Sequence, residues 1–234
     1  MGEELLEQCK KAGLEPNFSK TKYMSNTTHK SILLFDNIIE RVQEYTYLGQ
    51  IIAFADKTDK EISRRIEGTW RNFWALKHFY KSKKLSIRAK IKILEACTIP
   101  SLLYGAQTWS LMQTQLKRLQ TTQRRMERSI LNIKLKDKIS IKKIRERSKA
   151  KDVGYLAKRL KFKYVGHLSR TSDGRWSKAI MEWTPSTENR RQGRPTNRYI
   201  DEIRKRVGIA WRRVTEDRQR WMRTGEVYAQ LWAV

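Results

Sequence analysis

One stretch, Glu44-Tyr45-Thr46-Tyr47-Leu48-Gly49-Gln50-Ile51-Ile52, separates two periodicities that a single type of element cannot serve. Before it lie short strand-like runs. After it, apolar residues return every three or four positions. A chain that changes period in this way folds as a small sheet followed by a helical body. Val42, Tyr45, Tyr47, Leu48, Ile51 and Ile52 suit a pleated, half-buried surface, so the stretch itself is predicted to be a hinge strand. Gly49 inside it predicts a bulge or a close backbone approach.

Upstream, Leu5, Leu6, Cys9 and Ala12 share one helical face, and Gly13 is placed to cap that helix at its C-terminus. Pro16-Asn17 is turn chemistry. Strands are predicted over 21–24, 32–35 and 38–42, with a polar loop over 25–28 and a turn at Asp36-Asn37.

Downstream, Ile62, Ile66, Trp70, Phe73, Leu76 and Tyr80 mark one helical stripe, with Arg64, Arg65, Arg71 and Lys77 on the opposite face. Ser86 is an N-cap for a helix that turns Ile87, Ile91, Leu94 and Cys97 inward, and Pro100 breaks it or starts a new turn. Leu116, Leu119, Gln123, Met126 and Ile130 form a seam on the next helix, whose other faces carry Lys117, Arg118, Arg124, Arg125 and Arg128. An apolar seam with a cationic outside fits phosphate contact as well as a merely solvated face. Val153, Leu156, Leu160, Tyr164 and Leu168 define another helix. Ile200, Ile203, Val207, Trp211, Val214 and Trp221 extend a last stripe. Between these two lies a linker-like piece with Arg190, Arg191 and Arg194 beside Gly193 and Pro195, which reads either as a turn able to bring a guanidinium close to a phosphate backbone or as a flexible surface loop. These shifts divide the chain into 1–56, 57–135, 136–185 and 186–234.

Charge narrows the function. There are 51 Lys and Arg against 24 Asp and Glu, a net charge of +27. Self-repulsion of that size opposes folding, and a polyanionic partner relieves it. The cations are spread along the chain and not gathered in one amphipathic segment, which favours nucleic acid over an anionic membrane. The 8 Trp, 9 Tyr and 6 Phe supply enough buried surface for a core despite the charge. Cys9 and Cys97 are too far apart in sequence for a zinc knuckle, and both fall on apolar faces, so buried free thiols are expected in an intracellular protein, nuclear or cytoplasmic. The first residues lack the apolar core of a secretory signal, Leu6 stands where a myristoylation site needs Ser or Thr, and no apolar run is long enough to span a membrane. His167 has no partner cluster in the sequence. Asp201, Glu202 and Asp217 lie among arginines, so ion pairing is favoured over catalysis for them.

The order of several motifs resembles the non-LTR retrotransposon reverse transcriptases, in their RTE-like branch. It begins with Gly13-Leu14, Asn17 and Lys20-Thr21, then Tyr45, Tyr47-Leu48-Gly49 and Glu61-Ile62 with Arg65-Ile66. It continues with Leu103-Tyr104-Gly105-Ala106-Gln107-Thr108-Trp109, Gln123-Arg124-Arg125-Met126-Glu127-Arg128 and Gly166-His167-Leu168 with Arg170. Gly193-Arg194-Pro195 and Asp217-Arg218 with Trp221 complete it. The resemblance covers nearly the whole chain. It implies a truncated right-hand polymerase: mainly helical, with a small N-terminal antiparallel β portion that is the end of the palm, then a thumb and a helical C-terminal domain.

In that family Lys20 matches a lysine that neutralises phosphate, and Tyr47, Leu48 and Gly49 match the primer-grip hairpin. Residues 57 to about 133 match the thumb that grips template and primer. The resemblance also implies that the paired aspartates and the Mg²⁺ of the parent RNA-directed DNA polymerase belong upstream, since this sequence has no Asp-Asp pair. The chain is therefore expected to bind RNA template, DNA primer or target DNA, to hold no cofactor and not to polymerise. The alternative is a non-enzymatic, basic nucleic-acid-binding relic of a transposon. The sequence departs from the family at Pro16, where an aliphatic residue is usual, and at Tyr199 and Glu202, where Trp and Asp are usual.

Overall fold

The computed structural model describes residues 2–26, 32–34, 37–172, 174, 176–183 and 198–232. It is mainly helical with a small N-terminal β portion and divides into two units, Met1–Glu61 and Ile62–Val234.

In the first unit, helix α1 (Gly2–Lys11) ends at Gly13, whose φ of 72° is the left-handed conformation that closes a helix. Gly13 N donates to the Lys10 carbonyl at 3.0 Å and Leu14 N to that of Cys9 at 2.9 Å. The capping role read from the sequence is therefore met. Strands β1 (Lys22–Tyr23), β2 (Ile32–Leu34) and β3 (Asn37–Arg41) form a sheet in the order β1-β3-β2. The pairing of β2 with β3 is antiparallel, Ile32 opposite Ile39. The β1–β3 pair is parallel, Lys22 opposite Glu40, so the expected antiparallel portion is a mixed one. Strand β2 runs back along one edge of β3, which leaves β1 to join the other edge in the same direction as β3.

The 44–52 stretch is not one strand with a bulge. It is a hairpin, β4 (Glu44–Tyr47) with β5 (Gln50–Ala53), Tyr47 facing Gln50. Leu48 and Gly49 make the turn at φ 47° and 73°. Two positive φ values in a two-residue loop match the right-handed twist of the flanking strands. Glycine adopts this conformation without strain, whereas Leu48 carries a cost of about 1 kcal/mol. Ile51 is buried and its N–H donates to Glu61 Oε2 at 2.8 Å, while Tyr45, Tyr47 and Ile52 stay exposed.

Helix α2 (Lys57–Ala75) carries the predicted stripe into the second unit. After it come α3 (Lys77–Lys81), α4 (Ile87–Ile93), a π-helical turn over Leu94–Thr98, and α5 (Ile99–Leu102). Ser86 does cap α4, its Oγ accepting from Ala89 N at 3.2 Å. The π turn sits just before Pro100, which has no N–H to donate. One extra residue per turn rotates the following side chains out of phase. Leu94 is buried, but Cys97, expected inward, is exposed, and Cys9 is only half-buried. Helices α6 (Gln113–Ile130) and α7 (Ile141–Ser148) follow, then α8 (Val153–Arg170). All five residues of the predicted α6 seam are buried. One core gathers Ile62, Phe73, Tyr80, Leu94, Leu119, Met126 and Val153.

A second core gathers Phe162, Val165, Ile203, Trp211, Trp221 and Tyr228. It lies under α9 (Trp176–Glu182), α10 (Asp201–Val207), α11 (Trp211–Glu216) and α12 (Arg218–Gln230). Val153 and Ala157 of α8 serve the first core and its Phe162, Val165 and Leu168 the second. Of the predicted stripe, Val153 and Leu168 are buried and Leu156 and Tyr164 pack against the two cores, but Leu160 is 37% exposed, and two lysines that the pattern leaves out, Lys158 and Lys161, are 4% and 3% exposed. Asp217 breaks the continuous stripe expected from Trp211 to Trp221, its Oδ1 accepting from Gln219 N at 2.9 Å and Arg220 N at 3.0 Å as the N-cap of α12. Among the described residues no helix is long and apolar enough to cross a membrane.

Candidate nucleic-acid interface

In the first unit, Asn17 organises the turn that carries Lys20. Its Oδ1 accepts from Ser19 Oγ at 2.7 Å and Lys20 N at 3.1 Å, and its carbonyl accepts from Thr21 Oγ1 at 2.9 Å. Lys20 is exposed at the end of this turn. Tyr47 and Leu48, 58% and 76% exposed, stand with Gly49 at the tip of the β4–β5 hairpin. The residues matched to a primer grip thus form an outward-facing tip.

In the second unit, Arg64 and Arg71 of α2 fall on the side away from its buried Ile62 and Phe73, while Arg65 lies one turn before the buried Thr69 on the adjoining face. Arg64, Arg65 and Arg71 line a shallow cleft of about 230 Å³, with Gly68, Thr69, Asn72 and Ser101 of α5. The Arg65 guanidinium lies 4.5 Å from the centre of the Tyr104 ring, which holds it at the rim. On α6, Lys117, Arg118 and Arg125 are exposed opposite the buried seam. Arg118 Nη2 donates to Ser63 Oγ at 2.8 Å, tying α6 to α2.

Two α6 arginines do something else. Arg124 is 6% exposed and cannot meet a phosphate. Its Nη1 pairs with Glu127 Oε1 at 2.5 Å, and its Nη2 pairs with Asp152 Oδ2. Asp152 also takes Arg145 Nη1 at 2.8 Å and caps α8, accepting from Gly154 N at 2.7 Å. Ser148 Oγ donates to Glu127 Oε2 at 3.1 Å. Burial pushes the Glu127 carboxyl above its ordinary value despite Arg124 beside it. The cationic reading of Arg124 is therefore corrected: it is a structural cation between α6, α7 and α8. The helical wheel misassigned it because Asp152, 28 residues on, supplies the partner. Arg128 is half-buried and its Nη2 donates to the Ile139 carbonyl at 3.1 Å, bracing the segment before α7. Arg190, Arg191 and Arg194 lie outside the described residues.

A second buried charge group holds the C-terminal helices. Lys158 Nζ and Lys161 Nζ meet the Glu202 carboxylate at 2.5 and 3.0 Å, and Tyr228 Oη donates to the same group. Lys161 also sits 4.4 Å from the Tyr199 ring centre, and Tyr199 Oη donates to the Gln107 carbonyl at 2.7 Å. The family departures Tyr199 and Glu202 are thus both used. Asp201 accepts from Arg198 N, so the acids around residue 201 brace the fold, with Glu202 paired to lysines and not to the arginines expected. His167 is exposed on α8.

Burial would raise the Glu202 carboxyl, but Lys161 and Lys158 outweigh it and the group ends below its ordinary value. Its contribution is therefore present above the unfolded value of 4.5 and is lost as pH falls through the depressed folded value. Glu202→Gln should lower the melting temperature at neutral pH, because it leaves two buried ammonium groups without an anion. The gap between wild type and variant should narrow as the pH is taken below 4.5. Melting curves over an acid series check this, and a gap independent of pH would show that Glu202 is not held ionised.

Among the described residues no group of three His, Cys, Asp or Glu side chains is arranged to hold a metal ion. Those residues therefore offer the Mg²⁺ of a polymerase no fitting cage. The chain is 28% identical over 244 residues to an uncharacterized transposon-derived protein of Caenorhabditis elegans, the match covering 95% of this chain and 86% of that protein. This similarity supports a transposon origin. No family model matches the sequence, and no solved structure matches it.

Proposed function

We propose that this chain is the C-terminal part of a non-LTR retrotransposon reverse transcriptase and that it holds template–primer nucleic acid by its phosphates. The observation that carries this reading is the α6 helix. Its seam is fully buried, while Lys117, Arg118 and Arg125 project on its exposed side. With a net charge of +27, such a surface binds phosphate regardless of base sequence. The order of the family motifs and the similarity to a transposon-derived protein support the parent assignment. The helices over 57–135 act as the thumb, and the β4–β5 tip acts as the primer grip. No catalytic step is assigned to the chain, since the described residues offer no carboxylate cage.

The test pairs binding with stability. Lys117→Gln with Arg125→Gln should weaken binding to an RNA–DNA primer–template severalfold, equally for unrelated sequences, with the melting temperature unchanged. Unchanged affinity would remove α6 from the interface. The full chain given primer–template, Mg²⁺ and deoxynucleotides should not extend the primer, and extension would refute the absence of a catalytic centre.

A further inference from the structure

The cleft between α2 and α5 has a shape that a generic cationic face does not need. Arg64, Gly68 and Arg71 lie on successive turns of one face of α2, and Arg65, Thr69 and Asn72 on the adjoining one. Gly68 sits between the arginines. A Cβ built there would meet no heavy atom nearer than Arg71 Nη2, at 3.9 Å. Gly68 has a helical backbone within α2 and needs no special φ. Neither packing nor backbone strain therefore accounts for a glycine in mid-helix, where alanine is the better helix former. What the missing side chain leaves is open space flanked by guanidinium groups.

The floor is polar and already satisfied. Ser101 Oγ donates to the Thr98 carbonyl at 2.8 Å and lies 3.3 Å from Thr69 Oγ1. The lining holds no acidic side chain, and Glu67, on the same helix, is exposed and outside it. A notch with three arginines, an amide and no carboxylate in its lining selects a compact oxyanion. The Tyr104 ring under Arg65 sets that rim of the notch before any ligand arrives.

We infer that the Gly68 notch seats one phosphate group of the bound strand, clamped by Arg64, Arg65 and Arg71, and so fixes the register of the nucleic acid on α2. This rests on the proposed nucleic-acid binding and adds to it a defined anchor where a diffuse surface would otherwise suffice. The arginines supply the charge, and the glycine lets the phosphate approach the helix backbone.

The experiment uses the full chain and fluorescent DNA duplexes in anisotropy titrations over a salt series. Gly68→Ala should raise the melting temperature, since the added methyl has room, and weaken binding. Gly68→Glu should weaken binding about tenfold more than Ala179→Glu, which adds the same charge at an exposed position on α9. Arg64→Gln with Arg71→Gln should flatten the plot of log K against log salt by about two, one per arginine. Duplexes with and without a 5′-phosphate identify the source: equal affinity assigns the notch to an internal phosphodiester, and tighter binding of the phosphorylated end assigns it to a terminal phosphate. Equal effects of Gly68→Glu and Ala179→Glu, or an unchanged slope in the double variant, with steep salt dependence kept in wild type, would overturn the notch alone. Loss of salt-dependent binding in wild type would overturn the nucleic-acid reading itself and the notch with it.

Discussion

Replacing Asp152 by alanine should cost the second unit about 3–5 kcal/mol, the range for breaking a buried ion pair from one side. The reasons add in kind. Arg124, with 7% of its side chain exposed, would keep Glu127 but lose its second anion. Glu127 is a weak substitute, because burial pushes its carboxyl toward the neutral form. Helix α8 would also lose the acceptor for Gly154 N and for Tyr155 N at 3.4 Å. Gln120 Nε2, 3.2 Å from Asp152 Oδ1, would lose a partner as well. Arg145→Gln is the internal comparison. Its side chain is 23% exposed, so solvent screens the loss and the cost should stay near 1 kcal/mol or below. Thermal melts of the two variants decide this. Equal losses would mean that the network is held by packing and that the charges are incidental.

Gly166→Ala should lower stability by about 3 kcal/mol, at the top of the overpacking range. An added Cβ would lie 2.2 Å from Trp221 Nε1 and 2.4 Å from its Cδ1. Trp221 is 2% exposed, stacks 4.7 Å from the Phe162 ring and donates from Nε1 to the Phe162 carbonyl at 2.9 Å. Moving the indole aside would disturb both the stack on Phe162 and that bond. The reciprocal site is Gly225 of α12, where a Cβ would meet Phe162 Cδ1 at 2.8 Å, so Gly225→Ala should follow with a smaller loss. Each helix thus gives a glycine to an aromatic ring carried by the other. Alanine is the better helix former in all three helical positions, so Gly68→Ala and Gly166→Ala test opposite signs of one substitution. A neutral Gly166→Ala would mean that α8 and α12 slide apart at little cost.

How much of this was legible in the sequence depends on whether the cause was local. The α6 seam, the Ser86 cap and the α1 stop at Gly13 rest on periodicity and capping chemistry within a few residues, and all three are present. The residue pattern alone gives one strand where the hairpin lies, because a Leu-Gly pair is an unusual two-residue turn, Asn-Gly being the common signal, although the family resemblance implies a hairpin at this place. The inward placement of Cys97 failed because one π turn shifts the phase, which no fixed period anticipates. Arg124 was misread for the opposite reason, since its partner lies on another helix. Asp152 itself was readable: an aspartate just before Val153-Gly154 is an N-cap signal. The pairing of Lys158 and Lys161 with Glu202 was not, because it needs two helices more than 40 residues apart to meet. The same holds for the Gly68 notch, which requires Ser101 of α5 as its far wall.

The central claim is that cations on the outer faces of amphipathic helices grip a phosphate backbone. The slope of log K against log salt for the full chain on a DNA duplex measures it most directly. With about five phosphates neutralised, the slope should lie near roughly −4 to −5, with little dependence on base sequence. A slope close to zero would contradict the account.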